Sequence, residues 1–364
     1  MKTYNEVYSA PSMKRRYEVW FLRLGLSDGS GAWWFRYLLL NPGRGGCAHG
    51  DHEEKGPTAG IGAGSGNVDG NSKTHGSDAG AQRQPVQVWA TWFPRAGKPE
   101  TWIQGFSLRD FRLSERGASP FFFAVGENRG AEKRGGENRS SDNQSSENRI
   151  GESECRGNIE VNGHCIGWSL RYRSTFRTEL SSKGWIGFSR TPHSDAIFSG
   201  EITLDGRTFR GEPLGYGLQG HNCGYRHRGT WTWTHLHFPA ADAQSSTFEA
   251  LCYDMPLGLM FRRAVLWHKG RKYTFGKLRE GLRDSRRLAW KLQAEDGSGA
   301  RIEAEIAGRD GYVHRLPYRK TDCSGVFEVA NDSLAVARVI LKLPDRPAEE
   351  LTTDSGAVLE MAGN

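Results

Sequence analysis

Residues 215–238 read GYGLQGHNCGYRHRGTWTWTHLHF. A glycine-rich opening leads through His221-Asn222-Cys223-Gly224 into nine residues of strict alternation. Successive side chains of a β-strand point to opposite faces. Trp231, Trp233, His235 and His237 therefore share one face, and Thr230, Thr232, Thr234, Leu236 and Phe238 share the other. A ladder of large rings and imidazoles is an unusual thing to bury in an ordinary core. It suits the wall of a ligand cavity.

Outward from this stretch the chain keeps the same character. Residues 16–26 (RYEVWFLRLGL) and 32–40 (AWWFRYLLL) flank a glycine turn and read as a hairpin. Further aromatic and branched runs lie at 86–93, 101–106, 120–125, 159–174 and 196–210, the last around an Asp205-Gly206 turn of the favoured hairpin type. Beyond the central stretch come 248–254, 264–275 with a Lys269-Gly270 turn, 288–306, and 326–341 broken at Asn331-Asp332-Ser333. No apolar period of 3.6 residues persists beyond two turns; 333–343 comes nearest. Short strands punctuated by glycine turns predict an all-β sandwich or barrel.

Two stretches interrupt this pattern. Residues 43–84 and 126–157 are rich in small and polar residues, and Glu-Asn-Arg recurs at 127, 137 and 147. Neither holds enough apolar surface for a core, so both are expected as long disordered loop insertions. Without them about 290 of the 364 residues remain, which suits two domains. The division expected is 1–212 and 213–364.

Composition narrows the function classes. No run of 18 apolar residues offers a membrane helix, and the N-terminus lacks the apolar segment of a signal peptide. Six cysteines without C-x-x-C spacing read as unpaired thiols, so a cytoplasmic protein is expected. The net charge of +7 is concentrated between Arg262 and Arg287. That segment is either a solvated hairpin face or a patch for peripheral contact with an anionic membrane. No nucleic-acid module accompanies it. No G-x-S-x-G elbow or Walker A loop is present, and the glycines at 60–66 lack the preceding strand a dinucleotide site needs.

The succession YEVWFLRL, GAWWFRYLLLNP, VQVWATWF, SGEITLDGRTFRGEPLGYGLQGHNCG and WTWTHLHF resembles the superfamily of carotenoid hydratases (hydroxyneurosporene synthases) and tocopherol cyclases. The resemblance covers most of the chain outside the two insertions. It implies two tandem lipocalin-like antiparallel β-barrels, with both insertions in the first. The family histidine matches His221; the tryptophan the family carries two residues later is here Cys223. A family acidic residue on the following strand falls at Asp254 or Glu249, and spacing does not decide between them.

The chemistry the resemblance implies is protonation of, or cyclisation onto, an alkene in a water-poor pocket, without metal or other cofactor. Such a reaction needs an acid and electron-rich faces for the developing cation. His221 and Asp254 are the candidate proton donors, and Tyr253 a candidate orienting or relay group. Trp231, Trp233, His235, Asn222 and Cys223 are the candidate substrate-binding residues. The expected partner is a terpenoid, polyene or lipid-like molecule, subject to hydration, cyclisation or isomerisation. Two other readings stay open. A carrier would have the apolar pocket without an acid aimed at it. A metal protein would use His235-x-His237 on one strand face with Asp242, a partial cupin-like pattern.

Overall fold

The computed structural model describes residues 16–41, 84–113, 121–126, 147–182, 187–239, 245–322 and 324–363. The expected insertions at 43–83 and 127–146 and the expected ligand Asp242 lie outside them. Twelve strands form the first sheet: β1 Arg16–Leu26, β2 Gly31–Asn41, β3 Val86–Pro94, β4 Glu100–Phe106, β5 Phe111–Leu113, β6 Phe121–Val125, β7 Asn148–Gly151, β8 Glu154–Val161, β9 His164–Arg173, β10 Thr178–Ser182, β11 Gly187–Leu204 and β12 Arg207–Gly224. Their spatial order is β4-β3-β2-β1-β12-β11-β9-β8-β7-β6-β5, with β10 beside β11. Gln104 of β4 accepts a hydrogen bond from the Glu160 amide of β8 at 3.2 Å, so the sheet curls back on itself.

Ten strands form the second sheet: β13 Trp231–Phe238, β14 Ser246–Asp254, β15 Met260–His268, β16 Arg271–Phe275, β17 Lys277–Asp284, β18 Ala289–Glu295, β19 Arg301–Ala307, β20 His314–Arg319, β21 Val326–Lys342 and β22 Glu349–Ala362. The order is β16-β15-β14-β13-β22-β21-β19-β18-β17, with β20 beside β21. Every pairing in both sheets is antiparallel among the described residues. The fold is all-β, in two lipocalin-like barrels. The first sheet ends at Gly224 and the second begins at Trp231, so residues 213–224 complete the first barrel.

The second expected insertion is too long at its C-terminal end. Residues 148–151 and 154–157 are strand, because Asn148, Ile150 and Cys155 have side chains buried in the first barrel. The break expected at 331–333 is a register shift within the single strand β21, and 333–342 is extended rather than helical. The Asp205-Gly206 turn has φ of 50° and 83°, as a two-residue hairpin loop requires. Among the described residues no helix is long and apolar enough to cross a membrane.

Alternation assigns each strand two duties. On β1, Trp20, Leu22 and Leu24 fill the first barrel, while Val19 and Phe21 face the second. On β2, Trp33, Phe35 and Tyr37 point in, while Ala32, Trp34 and Leu38 point out. The second barrel mirrors this. Phe248, Ala250 and Cys252 of β14 are interior, and Leu251 and Tyr253 face across. The barrels thus pack back to back along an apolar seam. Arg23 fastens it, donating from Nε to the Ser333 carbonyl at 3.1 Å and from Nη2 to the Ala357 carbonyl at 3.3 Å. The basic segment 262–287 is partly spoken for: Arg283 donates to the Ala362 carbonyl at 2.7 Å, and Arg262 pairs with Glu280 at 3.4 Å.

Candidate functional site

At one end of the seam the two barrels part around a cavity of about 1150 Å³. Its wall combines the outward faces of β1, β2 and β12 with those of β13, β14, β20 and β22. The end of β12 and the 225–229 connection cross it, bringing Asn222, Cys223, His227 and Arg228 to its surface. Rings dominate: Tyr17, Phe21, Trp34, Trp231, Trp233, Tyr253, Tyr318 and Phe327 all line it. His227 stacks on Tyr17 with centroids 4.1 Å apart, and Trp231 meets Phe327 edge-on at 5.8 Å. Large, stiff side chains keep such a space open, because few rotamers collapse it.

The odd face of β13 divides along its length. Trp231 and Trp233 reach the cavity, but His235 and His237 lie beyond it in the closed seam. His235 Nε2 donates to the Ser194 carbonyl at 2.7 Å, and His237 stacks on Tyr216 at 5.5 Å. Burial pushes the two imidazoles down to about 3 and about 4. Among the described residues no group of three His, Cys, Asp or Glu is placed to hold a metal.

His221 sits elsewhere. It is fully buried on the interior face of β12, donating from Nε2 to the Glu18 carboxylate at 2.8 Å and stacking on Trp20 at 4.6 Å. Its neighbour Asn222 faces the cavity because the strand alternates. His221 is not part of the cavity wall. Asp254 and Tyr253 are. Asp254 Oδ1 accepts the Thr230 amide hydrogen at 2.9 Å, so this carboxylate also holds the turn into β13. The Tyr253 hydroxyl lies 3.1 Å from Ser181 Oγ of the first barrel.

Three polar groups stand out in or beside this apolar seam. Glu360 of β22 lines the cavity, accepting from Trp231 Nε1 at 2.9 Å. Its other oxygen lies 2.8 Å from the Tyr318 hydroxyl. Burial raises the Glu360 pKa, against the opposing pull of the Arg36 cation and these hydrogen bonds. Glu249, the second of the two acidic positions considered from sequence, is buried just behind the wall. Its Oε1 accepts from Thr191 Oγ1 at 2.7 Å and Trp233 Nε1 at 3.0 Å, linking the barrels, and burial pushes it up to about 7. Arg36 of β2 completes the set, its guanidinium 3.9 Å from the Tyr318 ring centroid and 4.6 Å from that of Trp89. Burial, then the nearby Arg36 charge, holds His227 down to about 3.

Sequence reasoning missed Glu360, Arg36, Tyr318 and His227. Two of them had a visible signal: Arg36 within AWWFRYLLL and Glu360 within AVLEMA are single charges inside apolar strand runs. Tyr318 and His227 carried none, since only the folded chain brings 227, 318 and 36 together.

No protein-family profile and no curated protein sequence matches this chain. Solved structures do. Kievitone hydratase from Nectria haematococca is 10% identical, with a TM-score of 0.55 over 100% of this chain and 93% of that one. CghA, solved alone and with Sch210972, is also 10% identical, with TM-scores of 0.56 and 0.55 over 96% of this chain and 88% of that one. At that identity the likeness is one of fold, and it is the fold the sequence resemblance implied.

Proposed function

We propose that the protein binds a hydrophobic, alkene-bearing small molecule between its barrels and converts it by proton transfer from Glu360, giving hydration or cyclisation. The observation that carries this is a buried carboxyl on the wall of an aromatic cavity, with its ionised form disfavoured by burial. A carboxylic acid kept toward its neutral form has a proton to give. In the step proposed, the Glu360 proton bonds to one alkene carbon and leaves a cation on the other. Water then adds to that carbon, or an internal nucleophile closes a ring, and the surplus proton returns to the carboxylate. Trp231 and Phe327 offer π faces to the cation, on the order of 1–2 kcal/mol each when desolvated. The Trp231 and Tyr318 hydrogen bonds fix the carboxyl and receive the charge it acquires.

Two likenesses support the reading. The sequence resembles carotenoid hydratases and tocopherol cyclases, and a structural neighbour is a hydratase. The donor differs from those expected: His221 is turned into the first barrel, and Asp254 is committed to a turn amide.

The test begins with extraction of the gently purified protein and identification of any small molecule it carries. That molecule, and a panel of terpenoid and polyene alkenes, is incubated with wild-type protein and with Glu360→Gln in heavy-oxygen water. Hydration gives a product one water heavier that carries the label; cyclisation gives an unlabelled product of unchanged mass and new retention. Conversion by wild type and not by Glu360→Gln is the expected result. Binding without conversion by wild type would make the protein a carrier. Equal conversion by both proteins would remove Glu360 as the donor.

A further inference from the structure

Arg36 is the anomaly of the cavity. It interrupts β2 between Phe35 and Tyr37, points out of the first barrel, and is 5% exposed. A buried guanidinium is ordinarily paired with a carboxylate. Among the described residues none lies within ion-pairing distance of Arg36, and its Nη1 has no hydrogen-bond partner. The ring faces of Tyr318 and Trp89 hold the cation in place but do not neutralise it. Glu360 shares Tyr318 with Arg36, yet it is already engaged by Trp231 and Tyr318.

From this buried guanidinium held between ring faces without a carboxylate in ion-pairing distance, we infer that Arg36 docks an anionic oxygen of the ligand. The substrate class is then an amphiphilic organic acid, with a carboxylate or enolate joined to an apolar body. Neutral hydrocarbons and alcohols fit the class poorly. The inference rests on the proposed use of the cavity and adds the charge of what enters it. It also removes a difficulty in the chemistry. A bare guanidinium beside Tyr318 would oppose a carbocation forming on the Glu360 side, and a ligand anion seated on Arg36 cancels that field. Guanidinium suits the role because its forked N–H groups meet a two-oxygen anion in plane.

Retinoic acid and retinol, which share a polyene body and differ in head group, serve as probes. Each is titrated at pH 8 into the full-length protein, following quenching of tryptophan fluorescence. Wild type is expected to bind the acid roughly tenfold or more tightly than the alcohol, the worth of one charge-assisted hydrogen bond. Arg36→Met should bind retinol as wild type does and lose the preference; Arg36→Lys should keep part of it. Equal wild-type affinity for the two, or a preference that survives in Arg36→Met, would overturn the inference while leaving the cavity standing. Binding of neither probe would overturn the reading of the cavity itself, and the inference with it. If Arg36→Met does not fold, the wild-type ratio and its reduction in Arg36→Lys decide the matter.

Discussion

The interior of each barrel and the seam between them are made from opposite faces of the same strands, and they solve different problems. The interiors are filled by fully buried rings such as Trp33, Phe35 and Phe123 in the first barrel and Trp290 and Phe248 in the second. Some polar groups that enter are matched, as His221 is by Glu18, while Trp33 Nε1 and Asn148 Nδ2 are buried without hydrogen-bond partners among the described residues. The seam is also apolar, yet it leaves Arg36 Nη1, Asn222 Oδ1, Glu249 Oε2 and His235 Nδ1 buried without hydrogen-bond partners among the described residues. Native interiors seldom tolerate such atoms, because each forfeits its hydration. Four such atoms along the seam accompany the cavity there, and the proposed function uses this face rather than the barrel interiors.

That contrast is open to direct attack. The largest effect expected is on chemistry: Glu360→Gln should lower turnover by roughly 10²- to 10⁴-fold, the range of a lost general acid, with ligand retention unchanged. His221→Ala, on the interior face one sheet away, should lower the denaturation midpoint and leave turnover per folded molecule intact. If the two variants exchanged phenotypes, the division between seam and interior would fail. Next in size is packing. Trp290→Ala should cost about 3–5 kcal/mol in urea unfolding, since it empties a fully buried site. Trp231→Ala, on the cavity wall, should cost less stability and more ligand affinity.

How much of this the sequence discloses follows from the same alternation. Strands and hairpin turns are legible from aromatic and branched runs between glycine turns, the two-barrel plan is what the family resemblance implies, and alternation puts Trp231 and Trp233 on one face of β13, which the structure turns toward the cavity. The reading overreached at His235 and His237, which share the Trp face but lie farther along the seam, where it closes. It went wrong at 148–157, where Ile150 and Cys155 are too sparse among polar neighbours to announce a strand. It took His221 for a candidate proton donor from the family match; β12 continues as regular strand there and turns the imidazole inward. The site's acid lies 106 residues beyond Asp254, and no local pattern brings Glu360 beside Trp231. Antiparallel pairing of β13 with β22 does.

Smaller effects sharpen the contrast further. Glu249 is held up to about 7 by burial, from an ordinary value of 4.5. Its protonated form is the one the fold favours. The stability this confers is fully present below about pH 4.5 and is lost as pH rises through about 7, on the order of 3 kcal/mol across the window. Glu249→Gln should remove that slope, giving melting temperatures above wild type at pH 8 and little different at pH 4.5. An unchanged slope would mean that the carboxyl is solvated in the seam. Smallest is Asp254→Asn, which weakens one turn hydrogen bond and should cost about 0.5–1.5 kcal/mol, with turnover preserved. A large loss of turnover there would return the donor role to Asp254.

The central claim is that the ligand lies between the barrels, and retinol binding to wild type and Asn222→Trp tests it most directly. Asn222 is on the cavity wall and only partly buried, so an indole placed there projects into the space against Trp231 and Trp233 without disturbing either interior. Native mass spectrometry should show a one-to-one retinol complex for wild type and its loss for the folded variant. An Asn222→Trp protein that carries retinol as wild type does would place the ligand elsewhere, and the seam would be only the joint between two barrels.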